Sequence, residues 1–342
     1  MMNIALVFGT RPEAIKMVPI IDVLKRKKEL FKTTIIVTGQ HKEMLQQHLE
    51  VLQCSPDINF DVMSNNQSLF DITNAILSNI KEFLQKIKPD LVLVHGDTTT
   101  AMVSALCAFY LKIPVGHVEA GLRTHQRYSP YPEEMNRKLI ADLATFHFAP
   151  TKQSYDNLIN EGIKSESIEI TGNTVIDALF KMINTFQDQK NVDRINCKFL
   201  KTGYRPDLNK IVLITGHRRE NFGYGIDQIC EAIYRLAKEY SDIDFVYPVH
   251  MNPNVRSKVY KILSDVNNVY LLEPLDYDQF VFLMKASYII LTDSGGIQEE
   301  AAALGKPTLV MRNISERPEV LFGSIKVVGT KADNIFNEAK HL

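Results

Sequence analysis

The stretch IILTDSGGIQEE, residues 289–300, joins four β-prone residues to a helical pattern through a Ser-Gly-Gly turn. Such a strand–turn–helix unit is the building block of parallel α/β sheets. The free backbone N–H groups of its turn would point beyond the strand, where they suit an anion, most simply a phosphate. Glu300 falls about one turn into the helix, where a carboxylate could bind ribose hydroxyls, so a nucleotide is the first hypothesis. The alternative is a tight turn whose glycines only relieve strain.

The same alternation of short β-branched runs and helical patterns continues along the chain. Most of the runs are continuously apolar, as expected for parallel strands that helices cover on both faces. The predicted strands are residues 4–8, 33–38, 91–95, 115–118, 146–149, 168–171, 211–215, 245–249, 269–272, 289–292, 308–311 and 325–328. The pattern predicts an α/β protein with two Rossmann-like, doubly wound domains. We expect the domains to be 1–171 and 172–342, because a helix that begins at Thr174 leads into the second set of strands.

The composition is that of an ordinary globular protein, with 342 residues, 45% hydrophobic and 23% charged. The formal net charge of -1 gives no general attraction to nucleic acid or to an anionic membrane. The four cysteines are widely spaced, which suggests neither a metal site nor a disulfide framework. The first strand leaves no room for a signal peptide, and no apolar run approaches the ~18 residues that span a bilayer. We therefore expect a cytoplasmic protein.

Cations follow the first predicted strand, at the edge where open parallel sheets bind their ligands. The segment GTRPE, residues 9–13, contains Arg11, and Lys16 lies one turn further along the predicted helix. Together, Arg11 and Lys16 would suit a diphosphate. The segment is not the G-x-G-x-x-G sequence of a dinucleotide-binding site.

Carboxylates end the next two strands. Asp97 and Glu119 follow strands that one helix joins, so we expect them to be neighbours on one rim. A single carboxylate there is often only a helix cap, whereas two beside an arginine indicate acid–base chemistry. Glu133 lies in the first turn of a predicted helix that follows the proline-stiffened loop of residues 128–132. It is either a third site carboxylate or half of an i,i+4 ion pair with Arg137.

The second predicted domain also carries polar residues at its strand ends. His217 follows a strand together with a glycine and two arginines, and it could donate to a phosphate or transfer a proton. His250 ends the next strand and is the weaker candidate. Arg317 could reach the same phosphates as residues 294–296 from the opposite side. A cleft between the two domains is the predicted site.

Taken together, these segments closely resemble the non-hydrolysing UDP-N-acetylglucosamine 2-epimerases of bacteria, from the first strand to about Glu319. The motifs that carry the resemblance are GTRPEAIK (9–16), HGDT (95–98), GHVEAGLRT (116–124), YSPYPEEMNR (128–137), HRREN (217–221) and DSGGIQEE (293–300). Each motif alone is modest, but six in the family order are difficult to attribute to chance.

The resemblance implies a glycosyltransferase-B-like fold, with two Rossmann-like domains facing across a cleft, usually in a homodimer. It implies interconversion of UDP-N-acetylglucosamine and UDP-N-acetylmannosamine for cell-envelope polysaccharide synthesis, without a cofactor. The catalytic set that it implies is Arg11, Lys16, Asp97, Glu119, Glu133 and His217. The nucleotide contacts that it implies are Phe280, Ser294, Gly295, Gly296, Glu300 and Arg317.

The implied chemistry accounts for these residue types. The C2 proton of the sugar is not next to a carbonyl group, so simple deprotonation would be prohibitively slow. If UDP leaves C1 as the proton leaves C2, the intermediate is a neutral glycal to which UDP can add back. This path needs a base, an acid or base on the other face, and cations for the departing diphosphate. Asp97, Glu119 and Glu133 can supply the first two roles, with their assignment to faces open.

Two departures from the family pattern concern the end of the chain and regulation. Family members often continue for tens of residues past the position of Leu342, so a terminal segment is expected to be missing here. Some bacterial members bind a second substrate molecule as an activator beside the active site. The positions that match this regulatory site include Gln40, Arg218 and His250, while Glu43 and Asn66 stand where a glutamine and an arginine are found.

Three other functions fit parts of the sequence. A glycosyltransferase of the same fold would need an acceptor groove, and no apolar or basic patch in the sequence indicates one. A hydrolysing epimerase would release free N-acetylmannosamine and UDP. A catalytically silent UDP-sugar sensor could keep residues 294–296 but would not need all three carboxylates.

Overall fold

The computed structural model describes residues 1–39, 49, 51–52, 54–62, 67–206, 209–216, 218, 221–312 and 323–342. The chain forms two compact units, Met1–Ala178 and Leu179–Leu342. Each unit contains one parallel sheet with helices packed on it, so the predicted two-domain α/β fold is confirmed. The helix Thr174–Thr185 crosses from the first unit into the second, and the domain boundary at residues 171 and 172 stays a prediction.

The first unit alternates strands and helices from its first residues. Its elements are β1 Met2–Phe8, α1 Arg11–Arg26, β2 Phe31–Val37, β3 Ile58–Asn59, α2 Leu69–Ile87, β4 Leu91–His95, α3 Thr99–Tyr110, β5 Val115–Val118, α4 Glu133–Leu143, β6 Phe146–Ala149, α5 Lys152–Asn160, a 3-10 turn Ser165–Ser167, β7 Ile168–Ile170 and α6 Thr174–Thr185. The predicted strands of this half are confirmed, and the two-residue strand β3 is an addition to them.

The first sheet has the strand order β3-β2-β1-β4-β5-β6-β7. β1 is an interior strand, and its Leu6 lies beside Ile35 of β2 on one side and Leu93 of β4 on the other. The direction of winding therefore reverses between β1 and β4. In sheets of this kind the crevice beyond that pair of strands is the usual ligand site.

The second unit repeats the pattern. Its elements are α7 Gln189–Lys201, β8 Lys210–Thr215, α8 Tyr224–Glu239, β9 Ile243–Pro248, α9 Pro253–Leu263, β10 Val269–Leu272, α10 Tyr277–Ala286, β11 Ile289–Thr292, α11 Gly295–Ala303, β12 Thr308–Val310, β13 Ile325–Val327 and α12 Ala332–Lys340. The strand order is β10-β9-β8-β11-β12-β13, so the winding reverses between β8 and β11. Residues 289–300 thus lie at this second switch point, where β11 ends and α11 begins.

Apolar side chains fill both faces of each sheet. In the first unit, alternate residues of β1 and β4 pack against α2 and α3, with Val7, Val94 and Ile76 fully buried. In the second unit, Ile214 and Leu291 lie in one cluster and Leu213 and Ile290 in the other. Burial on both faces explains why these strands read as continuous apolar runs. None of the described helices combines the length and apolarity required to cross a membrane.

Candidate active site

The loop after β1 is held by the carboxylate of Glu13. The backbone N–H groups of Gly9 and Thr10 donate to Glu13 Oε2 at 3.1 and 2.7 Å, and Thr98 Oγ1 donates to Glu13 Oε1 at 2.7 Å. Glu13 is only 2% exposed, and this burial raises its pKa above the ordinary value, although the hydrogen bonds lower it. Since Thr98 also caps α3 by accepting from the N–H of Ala101 at 3.0 Å, Glu13 joins the loops on both sides of the switch point.

Arg11 and Lys16 project from the start of α1, and both side chains are half-buried. Lys16 Nζ forms an ion pair with Glu119 Oε2, and these side chains are 12% and 9% exposed. Asn173 Nδ2 donates to the same carboxylate oxygen at 2.9 Å, and His95 Nε2 lies 3.7 Å from it. The structure therefore brings two of the predicted catalytic residues into contact.

Asp97 is fixed by the helix α4. Arg137 donates from Nε to Asp97 Oδ2 at 2.9 Å, its Nη2 lies 2.7 Å from the same atom, and Asn136 Nδ2 donates to the Asp97 carbonyl oxygen at 2.8 Å. Arg137 Nη1 also donates to Glu134 Oε2 at 3.0 Å, an i,i+3 contact. The arginine that spacing would pair with Glu133 thus contacts Glu134 and Asp97.

Glu133 and Glu134 are adjacent but differ in their hydrogen bonding. Glu134 is fully buried, and its two oxygens accept from the backbone N–H groups of Thr124 and His125, each at 3.0 Å. Glu133 is the first residue of α4, and its buried Oε2 accepts no hydrogen bond from any part of the chain that the structure describes. Glu134 therefore fixes a loop, while Glu133 keeps an oxygen available.

Two buried histidines, His117 and His147, lie on the strands β5 and β6 of the first sheet. His117 Nε2 lies 2.7 Å from the carbonyl oxygen of Gly96, the residue before Asp97. Burial lowers the pKa of His117 to about 3 and that of His147, on the neighbouring strand β6, to about 4. Both rings are therefore neutral at physiological pH, and Nε2 of His117 carries the hydrogen that it donates to Gly96.

The second switch point is organised by Asp293. Its Oδ2 accepts from the backbone N–H of Arg218 at 2.9 Å and from Asn221 Nδ2 at 3.0 Å. Asp293 is 1% exposed, so it binds the loop after β8 to the end of β11 rather than facing solvent. The hydroxyl of Thr292 accepts from the N–H of Ser294 at 3.0 Å and fixes the turn that follows.

The helix α11 begins at Gly295, directly after that turn. The hydroxyl of Ser294 does not cap the helix within the described structure, so it leaves the first backbone N–H groups to other acceptors. Among the described residues, no heavy atom outside the adjoining helix lies within 4 Å of a Cβ atom placed on Gly296, and its φ is not positive. Neither strain nor crowding by the described residues explains this glycine, which favours the anion site over the strain-relief alternative.

The remaining predicted nucleotide contacts lie around α10 and α11. Glu300 is buried, and its Oε1 accepts from the hydroxyl of Tyr277 at 3.2 Å. Phe280 packs, partly buried, against the apolar cluster beneath α10. His250 is exposed, and its Nδ1 accepts from the N–H of Asn252 at 3.1 Å. Four predicted residues lie outside the described residues: His217, Arg317, Gln40 and Glu43.

Sequence reasoning missed the residues that hold the site residues in position. Glu13 follows Thr10 by three residues, the spacing of a capping box, so the sequence contained a signal for it. Nothing local in the sequence indicates the contact of Asn173 with Glu119, 54 residues away. Within the described residues no group of three metal-binding side chains occurs.

Comparisons with known proteins agree with the geometry of the fold. The sequence model of the UDP-N-acetylglucosamine 2-epimerase family matches residues 24–342. A UDP-N-acetylglucosamine 2-epimerase of Campylobacter jejuni is 51% identical over 342 residues, 99% of this chain and 89% of the relative. One of Escherichia coli K12 is 50% identical over 346 residues, 100% of this chain and 90% of the relative.

Solved structures give the same result. The crystal structure of the UDP-GlcNAc 2-epimerase from Neisseria meningitidis bound to UDP-GlcNAc has a TM-score of 0.93 and 48% identity, covering 99% of this chain and 91% of the other. A co-structure of Staphylococcus aureus MnaA with UDP has a TM-score of 0.87 and 44% identity, covering 100% and 87%. The chain belongs to the UDP-N-acetylglucosamine 2-epimerase family of enzymes.

Proposed function

We propose that this enzyme interconverts UDP-N-acetylglucosamine and UDP-N-acetylmannosamine, by elimination of UDP to a glycal and its re-addition. The observation that carries the proposal is the set of three carboxylates, Asp97, Glu119 and Glu133, along one edge of the first sheet. Two of them are held by cations and one has a buried oxygen without a partner among the described residues. The substrate in this proposal is inferred from membership of the family.

The elimination needs a base at C2 and a leaving group at C1. A carboxylate takes the C2 proton, and the electron pair of the C2–H bond forms the C1=C2 double bond of the glycal. The C1–O bond breaks, and its electron pair leaves with UDP. In the reverse step the double bond takes a proton at C2 on the opposite face, and a phosphate oxygen of UDP bonds again to C1. Two acid–base groups are therefore required, one for each face.

The surroundings of the carboxylates support these roles. Lys16 contacts Glu119 and Arg137 contacts Asp97, so a cation holds each of these two carboxylates in position. Glu133 Oε2 is a buried acceptor whose hydrogen bond a substrate hydroxyl or a transferred proton would complete. These contacts support a site with two carboxylates held by cations and one that exchanges its partner during the reaction.

The turn before α11 supports a role in holding UDP. The diphosphate is a ligand at the start of the cycle and a leaving group within it, so the enzyme must bind it throughout. Backbone N–H groups at a helix start bind phosphate oxygens without an additional side chain. The empty space above Gly296 is consistent with such close approach. In this proposal Arg11 and the predicted contacts His217 and Arg317 complete the binding of the diphosphate.

The proposal is tested by incubating the protein with UDP-N-acetylglucosamine in deuterated water. We expect proton NMR to show deuterium at C2 and the manno epimer, while phosphorus NMR shows UDP still attached overall. Stoichiometric free sugar and UDP would instead identify a hydrolysing epimerase. Tight UDP binding with no exchange would identify a sensor, and transfer of the sugar to an added acceptor would identify a glycosyltransferase.

Asp97→Asn tests the acid–base role within that assay. We expect loss of C2 exchange with UDP affinity within about threefold, because the proposed diphosphate contacts lie elsewhere. Asp90→Asn is the matched control, since Asp90 precedes the same strand β4 at its opposite end and accepts from the N–H of Asn3 at 2.7 Å. Unchanged turnover in Asp97→Asn would remove Asp97 from the catalytic set.

We propose further that the enzyme is a homodimer through the helices α2, α3 and α4. These helices pack side by side and expose large apolar side chains, Phe70, Phe109, Tyr110 and Leu139. Light scattering should give about twice the chain mass of 38.9 kDa, and Tyr110→Asp should lower it to one chain. Tyr224→Asp, at an exposed tyrosine of the second unit, should leave the mass unchanged. A monomeric wild-type protein would refute the proposal.

The proposed cellular role is to supply the manno epimer for cell-envelope polysaccharide synthesis in the cytoplasm. It rests on the sequence resemblance and on the chemistry of the product. Deletion of the gene should remove N-acetylmannosamine-derived sugars from the envelope polysaccharide, and an active copy should restore them. A polysaccharide of unchanged composition would contradict this role.

A further inference from the structure

Glu119 is the most constrained of the three site carboxylates. Its Oε2 contacts Lys16 Nζ, accepts from Asn173 Nδ2 at 2.9 Å and lies 3.7 Å from His95 Nε2. Its backbone has a φ of 60°, in the left-handed region that residues other than glycine rarely adopt. Such a conformation persists where the surrounding contacts determine it, and it is concentrated at functional sites.

Asn173 supplies one of those contacts, and both the oxygen and the nitrogen of its side-chain amide form hydrogen bonds. Asn173 Oδ1 accepts from the backbone N–H of Val175 at 3.0 Å, as the cap of α6, while Nδ2 donates to Glu119. The two contacts fix the orientation of the amide. If it were turned over, its NH2 group would face the N–H of Val175 and its oxygen would face a carboxylate.

Capping alone does not require asparagine at this position. Aspartate and serine cap helices about as well, and threonine and glycine nearly so. Of these, only asparagine combines an oxygen for the helix N–H with an N–H group for a neighbouring carboxylate. Aspartate would set a second negative charge against Glu119. The residue type is therefore explained by the contact with Glu119 and not by the helix start.

We propose that Asn173 is a positioning residue of the epimerase site, which orients the Glu119 carboxylate and stabilises its ionised form. The inference rests on the proposed function for its meaning, since Glu119 is one of the proposed acid–base groups. Asn173 itself touches no reacting atom in this scheme. It acts through Glu119 and sets the pH range in which that carboxylate works.

Two variants separate the contact with Glu119 from the capping of α6. Asn173→Ser keeps a capping oxygen but is too short to donate to Glu119, and Asn173→Asp keeps the cap and replaces the donor with a carboxylate. Asp188→Asn is the control, because Asp188 caps α7 by accepting from the N–H of Lys190 at 3.0 Å. It changes the charge of a cap by one unit without a site carboxylate nearby.

The first measurement needs no substrate. The Glu119 carboxyl carbon is followed by NMR in protein carrying labelled glutamate, with its signal assigned by comparison with Glu119→Gln. We expect the midpoint of its pH titration to rise by about 1 pH unit or more in Asn173→Asp and by less in Asn173→Ser, because like charges disfavour ionisation and a lost donor no longer supports it. Asp188→Asn should match the wild-type protein.

The second measurement is the pH dependence of kcat and KM for epimerisation. We expect kcat to fall about 10- to 100-fold in Asn173→Asp, with KM within about threefold and the acid limb of the profile moved to higher pH. Asn173→Ser should show the same changes at smaller size. These changes would identify an effect on chemistry, since a loss of folding would lower the active fraction without moving the profile.

The outcomes distinguish this inference from the proposed function. Variants that lower only the melting temperature, with the titration of Glu119 and the pH profile unmoved, would overturn the positioning role. A wild-type protein without C2 exchange would refute the proposed function, and a shifted titration of Glu119 in the variants would still establish the contact with Asn173. An unshifted titration would overturn the positioning role whatever the activity.

Discussion

Gly296→Ala separates the two explanations of the glycine turn that precedes α11. Gly296 is the second residue of that helix and has no positive φ, and the described residues outside the helix leave open space where a Cβ would stand. Within a helix, alanine is favoured over glycine by roughly 0.5–1 kcal/mol, because glycine loses more backbone freedom on folding. We therefore expect the free energy of unfolding to stay constant or to rise by up to about 1 kcal/mol, which corresponds to a melting temperature higher by about 2–4 °C.

The same methyl group should weaken the binding of UDP. If a phosphate approaches the N–H groups at the start of α11, the added carbon occupies the space above Gly296 and prevents at least one contact. A hydrogen bond to a charged group contributes about 1.5–3 kcal/mol, so its loss corresponds to an affinity about 10- to 150-fold lower. Stability and affinity are thus expected to change in opposite directions.

Calorimetry measures both quantities, by titration with UDP and by thermal unfolding without ligand. Gly305→Ala is the matched control, because Gly305 follows the same helix with a φ of +62° and equally open surroundings. There we expect a loss of about 1 kcal/mol in stability, since alanine is strained in that conformation, with UDP affinity unchanged. If Gly296→Ala bound UDP as tightly as the wild-type protein, or if it lost stability as Gly305→Ala is expected to, Gly296 would be required by the backbone conformation and not by a bound anion.

Three other predictions concern the groups that hold the rim of the first sheet. Arg137→Met should lower the free energy of unfolding by about 3 kcal/mol, because it leaves the buried Glu134 without its cation. Lys138→Met should lower it by less than about 1 kcal/mol, because the Lys138 side chain is 42% exposed and its ion pair with Glu161 is 3.8 Å long. Similar urea midpoints for the two variants would contradict this. Glu13→Gln should lower the free energy of unfolding by about 1–3 kcal/mol, because the amide oxygen can replace only one carboxylate oxygen and the NH2 group would face the Thr98 hydroxyl that now donates to the other. A variant as stable as the wild-type protein would show that these contacts are replaceable. In the folded protein the pKa of His117 is lowered to about 3, whereas in the unfolded chain it is 6.5. As the pH falls below 6.5, only the unfolded chain takes up this proton, so the stability present above pH 6.5 is lost by about 1.4 kcal/mol per pH unit. His117→Asn should flatten the slope between urea titrations at about pH 6 and pH 5 by that amount, and an equal slope would refute the assignment.

The strands could be predicted because parallel strands covered on both faces require unbroken apolar runs. β4 and β11 are buried at every residue, and the sequence shows each as an uninterrupted run that ends in polar residues. β3 could not be found in this way, because it is two residues long and exists through pairing with Ile36 and Val37 of β2. Its formation depends on a neighbouring strand more than on its own composition.

The rim residues could be predicted from their positions after strands, but their partners could not. Lys16 and Glu119 are 103 residues apart, and Asp97 and Arg137 are 40 apart. These pairs meet because the strand order places the ends of β1, β4 and β5 side by side, which no local spacing encodes. The i,i+4 spacing of Glu133 and Arg137 would allow an ion pair between them. In the structure Arg137 instead pairs with Asp97 and Glu134.

The neighbours Glu133 and Glu134 differ in their hydrogen bonding, although their sequence positions are alike. The two are identical in sequence terms, since both lie in the first turn of α4 after the same loop. Glu134 accepts hydrogen bonds from two backbone N–H groups and from Arg137, so its buried charge is balanced. Removal of the Glu134 carboxylate would release the loop at Thr124 and His125. Glu133 Oε2 is buried with no hydrogen bond from the described residues, a state that costs about 1–3 kcal/mol. Folding alone gives no reason to keep an unbalanced acceptor beside a balanced one, whereas the proposed function does, because in that proposal a bound substrate completes the hydrogen bond of Glu133.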